Sequence, residues 1–346
     1  MALRRRWRRK LREYDHTELD DTETPTYDVV IVGGGAAGLS AALVLGRARR
    51  RVAVVDAGAP RNAAASHMHG FLSRDGMPPL DLLAAGRAEV TGYGVELVDD
   101  RVLRIEGAFA VRLSGGRTLS ARRILLATGL RDELPEIPGV RERWGRDLLH
   151  CPYCHGWEVR DEPLAVLGTH PAAVEHAQLV RQWSDDVVFF AHTQALDAAE
   201  RAELEARGIG IVDGVVARLV VEGDRLAGVE LVDGRVIVRT AVFIRPGAVP
   251  HADGLVADLG CDVDDAGFVV VDAAGRTSKA GVWAAGNVAD PRAQVITAAG
   301  AGSAAAIAIN ADLVRHDVEA ASGCELAGSR LPRLNTVDSV ADTPVA

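Results

Sequence analysis

The pattern of apolar and polar positions divides the chain sharply. Residues 1 to 26 carry a basic run from Arg4 to Arg12, then an acidic run from Glu13 to Glu23, with little apolar content. Opposed charge blocks of this kind read as a flexible tail. From Tyr27 the pattern becomes that of buried structure. Tyr27 to Val32 is a short apolar run suited to a strand buried on both faces. An apolar helix is predicted from Leu39 to about Arg49, and a second strand from Arg51 to Val55 ends at Asp56. A helix over Pro79 to Gly92 follows. Short alternating strands then run from Val95 to Leu126, with apolar positions at Val102, Ile105, Phe109, Val111 and Leu113 and a turn at Gly115-Gly116. Leu130 to Val140, with Pro135 and Pro138, reads as a linker.

The plan then repeats. Pro163 to Leu167 predicts a strand, Gly168 to Ala173 a turn, Val174 to Trp183 a helix and Val187 to Ala191 another strand. Val212 to Phe243 forms a second strand meander. A last apolar strand runs into Gly286-Asn287, and Gln294-Val295-Ile296-Thr297 opens a helix of small residues to about Arg315. Beyond about Gly323 the chain is polar, with Pro332 and Pro344, and reads as a second tail. Two strand–turn–helix units, each followed by a meander, predict an α/β protein with two Rossmann-like, three-layer domains of dinucleotide-binding type.

Composition adds limits to this picture. A length of 346 residues suits two domains, and 48% apolar with 25% charged residues suits a globular protein. A formal net charge of -9 argues against a nucleic-acid partner. Four cysteines are too few for a disulfide scaffold and fit a reducing cytoplasm. No apolar segment follows the basic run, so neither an export signal nor a membrane anchor is expected there. Cys261 and Cys324 are expected to be unpaired.

The strongest chemical signal in the first unit is Gly33-Gly34-Gly35-Ala36-Ala37-Gly38 between strand and helix. Gly33 permits the tight turn, Gly35 lets a pyrophosphate approach the backbone, and Gly38 lets helix and strand pack closely. The phosphates would sit at the helix N-terminus. Asp56, 23 residues after Gly33, is placed to accept hydrogen bonds from ribose hydroxyls. The second unit departs from this pattern. On the same alignment His170 replaces Gly35, Ala173 replaces Gly38, and the place of Asp56 falls at Ala191, followed by His192-Thr193-Gln194. An imidazole at the second position would crowd a pyrophosphate, and the sequence leaves open whether NAD(P)H binds.

Near the midpoint stands His150-Cys151-Pro152-Tyr153-Cys154-His155-Gly156. Two thiols separated by two residues can close a small disulfide ring and exchange two electrons, and a neighbouring imidazole can take a thiol proton. Three other readings stand beside the redox dithiol. Cys-x-x-Cys-His also attaches c-type haem, in exported proteins. The two cysteines with His150 and His155 could supply zinc ligands, though such close neighbours converge poorly on one ion. An inert buried pair is the third. No metal is expected on balance.

Four motifs in this order make the chain resemble the low-molecular-weight thioredoxin-reductase-like flavoproteins: the glycine loop, Ala127-Thr128-Gly129, Cys151-Pro152-Tyr153-Cys154, and Ala285-Gly286-Asn287 with Gln294-Val295-Ile296-Thr297. The resemblance runs from about Tyr27 to Arg315. It implies a discontinuous FAD-binding domain (27–132 and 246–320), an inserted NAD(P)-binding-like domain bearing the dithiol (133–245), tails at 1–26 and 321–346, and a homodimer. It further implies that the backbone near Val102 meets the adenine of FAD. Gly286, Asn287, Gln294 and Val295 would face the flavin end. Cys154 would lie against the flavin and Cys151 would exchange with substrate. Thioredoxin reductases carry Asp where this chain has His155 and Asn287, and they keep an intact nucleotide loop. Cys-x-x-Cys-His with a degraded loop is closer to the dithiol oxidases of gliotoxin and holomycin type.

The expected function is therefore FAD-dependent oxidation of a small-molecule or protein dithiol, with electrons passing to oxygen. His155, near its ordinary pKa of about 6.5, would shuttle protons. His67, His69 and His150 are weaker candidates. An NAD(P)H-driven thioredoxin reductase is the alternative enzyme. A flavin-bound redox sensor without turnover is the alternative of another class, supported only by the basic tail.

Overall fold

The computed structural model describes residues 27–251 and 254–324. The tail at 1–26 and most of that at 321–346 lie outside them. The first apolar run is strand β1 (Tyr27–Val32), every residue of it buried. Helix α1 (Ala36–Arg47), β2 (Val52–Asp56), α2 (Pro79–Thr91) and β3 (Glu96–Asp99) follow. The first meander is β4 (Val102–Glu106), β5 (Ala110–Leu113) and β6 (Thr118–Leu126). The predicted linker contains β7 (Leu130–Glu133) and the short α3 (Val140–Arg143).

Next come β8 (Leu148–Leu149), α4 (Pro152–His155), β9 (Leu164–Leu167), α5 (Ala173–Val180), β10 (Val187–Phe190), α6 (Ala198–Ala206) and β11 (Gly210–Val212). The second meander is β12 (Val216–Glu222), β13 (Arg225–Leu231), β14 (Val236–Val238) and β15 (Ala241–Phe243). The chain closes with β16 (Gly247–Pro250), α7 (Leu255–Leu259), β17 (Val282–Ala284) and α8 (Val295–Cys324).

The first sheet runs β3-β2-β1-β6-β5-β4, with β17 also on β6. Strand β6 serves two roles along its length. Thr118 to Ser120 pairs antiparallel with β5, while Ile124 to Leu126 pairs parallel with β17. This return of residues 282–284 to the sheet of residues 27–126 is the discontinuity implied by the resemblance. The second sheet, β11-β10-β9-β15-β8, is parallel throughout. Apolar clusters lie on both faces of each sheet, which is why their strands read as unbroken apolar runs. Helix α8 buries Ala305, Ala306, Ile309 and Leu313 in the cluster that also holds Ala41, Ala42 and Leu45 of α1. By length and composition α8 could cross a membrane, but this face belongs to the protein core.

Three expectations are corrected, and one helix had not been expected. The linker is ordered: β7 pairs antiparallel with β16, so the two crossings between the sheets form one ribbon. Helix α5 stops at Val180 instead of continuing to Trp183. Helix α6 had no apolar signal strong enough to mark it, yet Asp197 and Glu200 form a reciprocal capping box at its start. Helix α8 passes Arg315 and continues to Cys324, so residues 321–324 do not belong to a tail. Arg122 and Asp317 form an ion pair that ties this extra length to β6, and Arg123 and Asp312 form another within the predicted part of the helix.

Candidate active site

The loop after β1 has the geometry its glycines predict. Gly33 has φ +108°, and a Cβ there would lie 2.2 Å from the Ala127 carbonyl oxygen. A Cβ on Gly38 would lie 1.9 Å from the Gly33 carbonyl oxygen, so this residue closes helix on strand and takes no part in the cavity wall. Gly35 faces open space, with nothing within 4 Å of where its Cβ would be. Asp56 ends β2 beside Gly34 and meets Arg87 at 3.5 Å.

These residues open onto a cavity of about 920 Å³ that reaches from the glycine loop to the dithiol. Gly33, Gly35, Asp56, Ala127, Thr128 and Gly129 line one end. Gly286, Asn287, Gln294 and Val295 line it further along, and Cys151, Cys154 and His155 stand on it as well. Thirteen of the fifteen site residues picked from the sequence thus share one cavity wall. Gly38 is the first exception. The other is Val102, which is buried at the start of β4 in the core. Asn287 donates its side-chain amide to the carbonyls of Asp290 and Ala293, at 2.9 and 3.0 Å, and so holds the loop leading into α8. Gln294 points its amide toward Cys151 Sγ at 4.0 Å, placing it between the α8 end of the cavity and the dithiol.

Cys151 and Cys154 form a disulfide with Cα atoms 5.2 Å apart. Cys151 is the N-cap of α4 and Pro152 its first residue, where proline's fixed φ suits a helix and its missing N–H costs nothing. The turn closes through the backbone amides of Cys154 and His155 on the Cys151 carbonyl, both 3.1 Å. Tyr153 meets Trp183 edge-on at 5.5 Å, and Arg160 lies 4.0 Å above the Trp157 ring.

Four imidazoles around this cavity have depressed pKa values. For His155 the cause is burial, with smaller contributions from His69 and His150 and an opposing one from Glu158. This corrects the expectation that it stays near 6.5: burial disfavours its charged form. His150 is lowered by burial, partly offset by its Nδ1 contact with the Ile244 carbonyl at 3.2 Å. His170 is lowered by burial and by the charge of Arg245. His176 falls to about 4, chiefly through burial. His69, set aside from sequence as a loop residue, bridges Asp75 and Glu158 at 3.3 Å each, joining the loop before α2 to the segment after α4.

Sequence reading missed Arg61, Asp132, His176 and Arg245. Arg61 holds Asp132 of β7 through two contacts of 2.6 and 2.8 Å. Arg245 did carry a signal, because it follows a parallel strand at its C-terminal end, where ligands bind in open α/β sheets. His176 carried none, lying inside an apolar helix pattern.

A glycine loop at the parallel strands of a mixed sheet, a disulfide on the same cavity and a second, wholly parallel sheet define a flavin-type disulfide oxidoreductase. Residues 27–303 match the pyridine nucleotide-disulphide oxidoreductase family, and the chain belongs to it. Among solved structures it is similar to HlmI, with 58% identity, a TM-score of 0.85, and coverage of 87% of this chain and 96% of that one. A thioredoxin reductase TrxB from Bacillus anthracis is 35% identical at a TM-score of 0.80, covering 84% and 99%. Thioredoxin reductase sirT of Leptosphaeria maculans is 30% identical over 86% of this chain and 97% of its own. The protein is therefore an enzyme, and FAD is the cofactor of its family. The open face at Gly35, the paired glycine contacts and the acid at Asp56 fit a dinucleotide.

Proposed function

We propose that this enzyme oxidises a dithiol to a disulfide and that oxygen is the final electron acceptor. One observation carries this reading: the second unit's turn is occupied by its own side chain. His170 Nδ1 accepts the Ala172 backbone N–H at 3.0 Å, and Pro171 has no N–H to offer. Two backbone donors of this turn are therefore unavailable to a nucleotide phosphate. His192, at the place of a ribose or phosphate contact, accepts the Val216 N–H at 3.0 Å.

The chain's own residues supply the exchange chemistry. A substrate thiolate attacks Cys151 Sγ, the Cys151–Cys154 bond breaks, and Cys154 leaves as thiolate. The second substrate thiol then displaces Cys151, releasing the substrate disulfide and leaving both cysteines reduced. Neutral His155 takes a thiol proton and returns it as the thiolates form and leave. The glycine loop and Asp56 would hold FAD, which would supply a two-electron acceptor for the reduced pair. The net reaction is dithiol plus oxygen to disulfide plus hydrogen peroxide. We place the enzyme in the cytoplasm, and the domain limits at 27–132, 133–245 and 246–320 are part of the same reading.

Oxygen uptake and flavin bleaching test it. A small dithiol should consume one oxygen and yield one peroxide per disulfide, while NADPH should bleach the flavin far more slowly. Fast bleaching by NADPH with efficient turnover of thioredoxin would overturn the proposal in favour of a thioredoxin reductase.

The homodimer belongs to this proposal too. On α8 the exposed positions Gly300, Ala304, Ile307, Ala311, Val314 and Val318 alternate by four and three residues. That spacing is the seam of two packed helices, and a second copy's α8 presents the same seam. Ile307→Glu with Val314→Glu should halve the mass seen by sedimentation without unfolding the chain. An unchanged mass would assign the dimer contact elsewhere.

A further inference from the structure

The same cavity is lined by His150, His170, His176 and Arg245, which this reaction does not use. His176 is only 6% exposed; neither ring nitrogen reaches a partner at ordinary hydrogen-bond geometry, although the His150 backbone acts on the ring and favours its charged form. Its ring lies 6.1 Å from that of His150 and edge-on to Phe243 at 6.2 Å. Buried polar atoms without partners are uncommon in native interiors and point to something the fold itself does not supply. A neutral imidazole keeps one N–H to donate.

Arg245 lines the cavity just after β15. Among the described residues no carboxylate pairs with it. Its charge nonetheless reaches His150, His170 and His176, disfavouring the protonated form of each. Asp132, which also acts on His150, is already held by Arg61. Positive charge here is thus uncompensated.

We propose that Arg245 and His176 form a carboxylate-binding subsite that holds the acid group of a dithiol substrate with its sulfurs toward Cys151. The inference rests on the dithiol-oxidase reading above. A guanidinium meets a carboxylate through two parallel hydrogen bonds, and the His176 N–H adds a third donor. A nucleotide phosphate is the other anion such a charge could attract. It would need the turn donors that His170 has taken and Pro171 lacks.

The test uses the flavin-loaded enzyme with dihydrolipoate and dihydrolipoamide, which differ only in acid against amide. Half-maximal flavin bleaching under anaerobic conditions should need roughly ten- to a hundredfold less of the acid. Arg245→Met should abolish that preference and leave the amide unchanged, and Arg245→Lys should restore part of it. Equal half-saturation for the two dithiols in the wild type, or an Arg245→Met that weakens both alike, overturns the subsite.

A second readout needs no turnover. Octanoate, but not octanamide, should slow alkylation of reduced Cys151 by iodoacetamide, and Arg245→Met should remove the protection. Octanoate without effect overturns the subsite even if dithiols reduce the flavin. Protection by octanoate with a flavin untouched by either dithiol overturns the oxidase reading and leaves the subsite standing. NADPH protecting better than octanoate reassigns the charge to a phosphate and overturns the carboxylate.

Discussion

Cys154→Ser should reduce dithiol oxidation on the order of 10³-fold or more, since residues that act as one unit fail together when one is removed. The pair sits on one short helix with Cα atoms 5.2 Å apart, and nothing else among the described residues can re-form the bond. The variant also separates the two sulfurs. When Cys154→Ser meets the product disulfide, Cys151 thiolate should displace one sulfur and keep the other as a mixed disulfide, seen as an added mass. Cys151→Ser should be equally inactive and trap nothing. A Cys154→Ser enzyme with wild-type turnover would falsify every reading in which this pair carries electrons. Trapping at Cys154 in place of Cys151 would reverse the assignment of the outer sulfur.

His155→Gln should cost roughly 10²- to 10³-fold, the usual range for a positioned general base. Its pH behaviour follows from the sign of the shift. Burial lowers the His155 pKa, so the imidazole is neutral at pH 7 and remains neutral somewhat below the ordinary histidine range. The wild-type rate should therefore fall at lower pH than an ordinary histidine would dictate, only as the pH drops through the depressed value, where the ring becomes charged and can no longer accept a proton. His155→Gln should lose that acid limb together with the rate. An unchanged acid limb in the variant would mean that another group carries the titration.

Much of this was legible from residue order. The apolar run Tyr27–Val32, the glycines at 33, 35 and 38 and the acid at Asp56 are local signals, because a strand, a tight turn and a helix start need only neighbouring residues. Cys151 and Cys154 likewise bound a single turn of four residues. Both features survive in the structure at the places expected. Helix ends were read less well. Helix α8 runs past Arg315 with an ion pair from Asp317 to Arg122 of β6, a partner far away in sequence.

Sequence alone determined the fold class, the repeated strand–turn–helix plan, the redox pair and the loss of the second glycine loop. Each of these follows from backbone conformation or from chemistry between near neighbours. Tertiary structure decided what faces what. It brought residues 33, 151 and 294 onto one cavity, lowered His155 by burial and joined β7 to β16 as the ribbon between sheets. It also collected three imidazoles and Arg245 on the wall of that cavity. The physical reason is range: desolvation and charge act between groups that the folded chain places side by side, and no local pattern records which groups those will be.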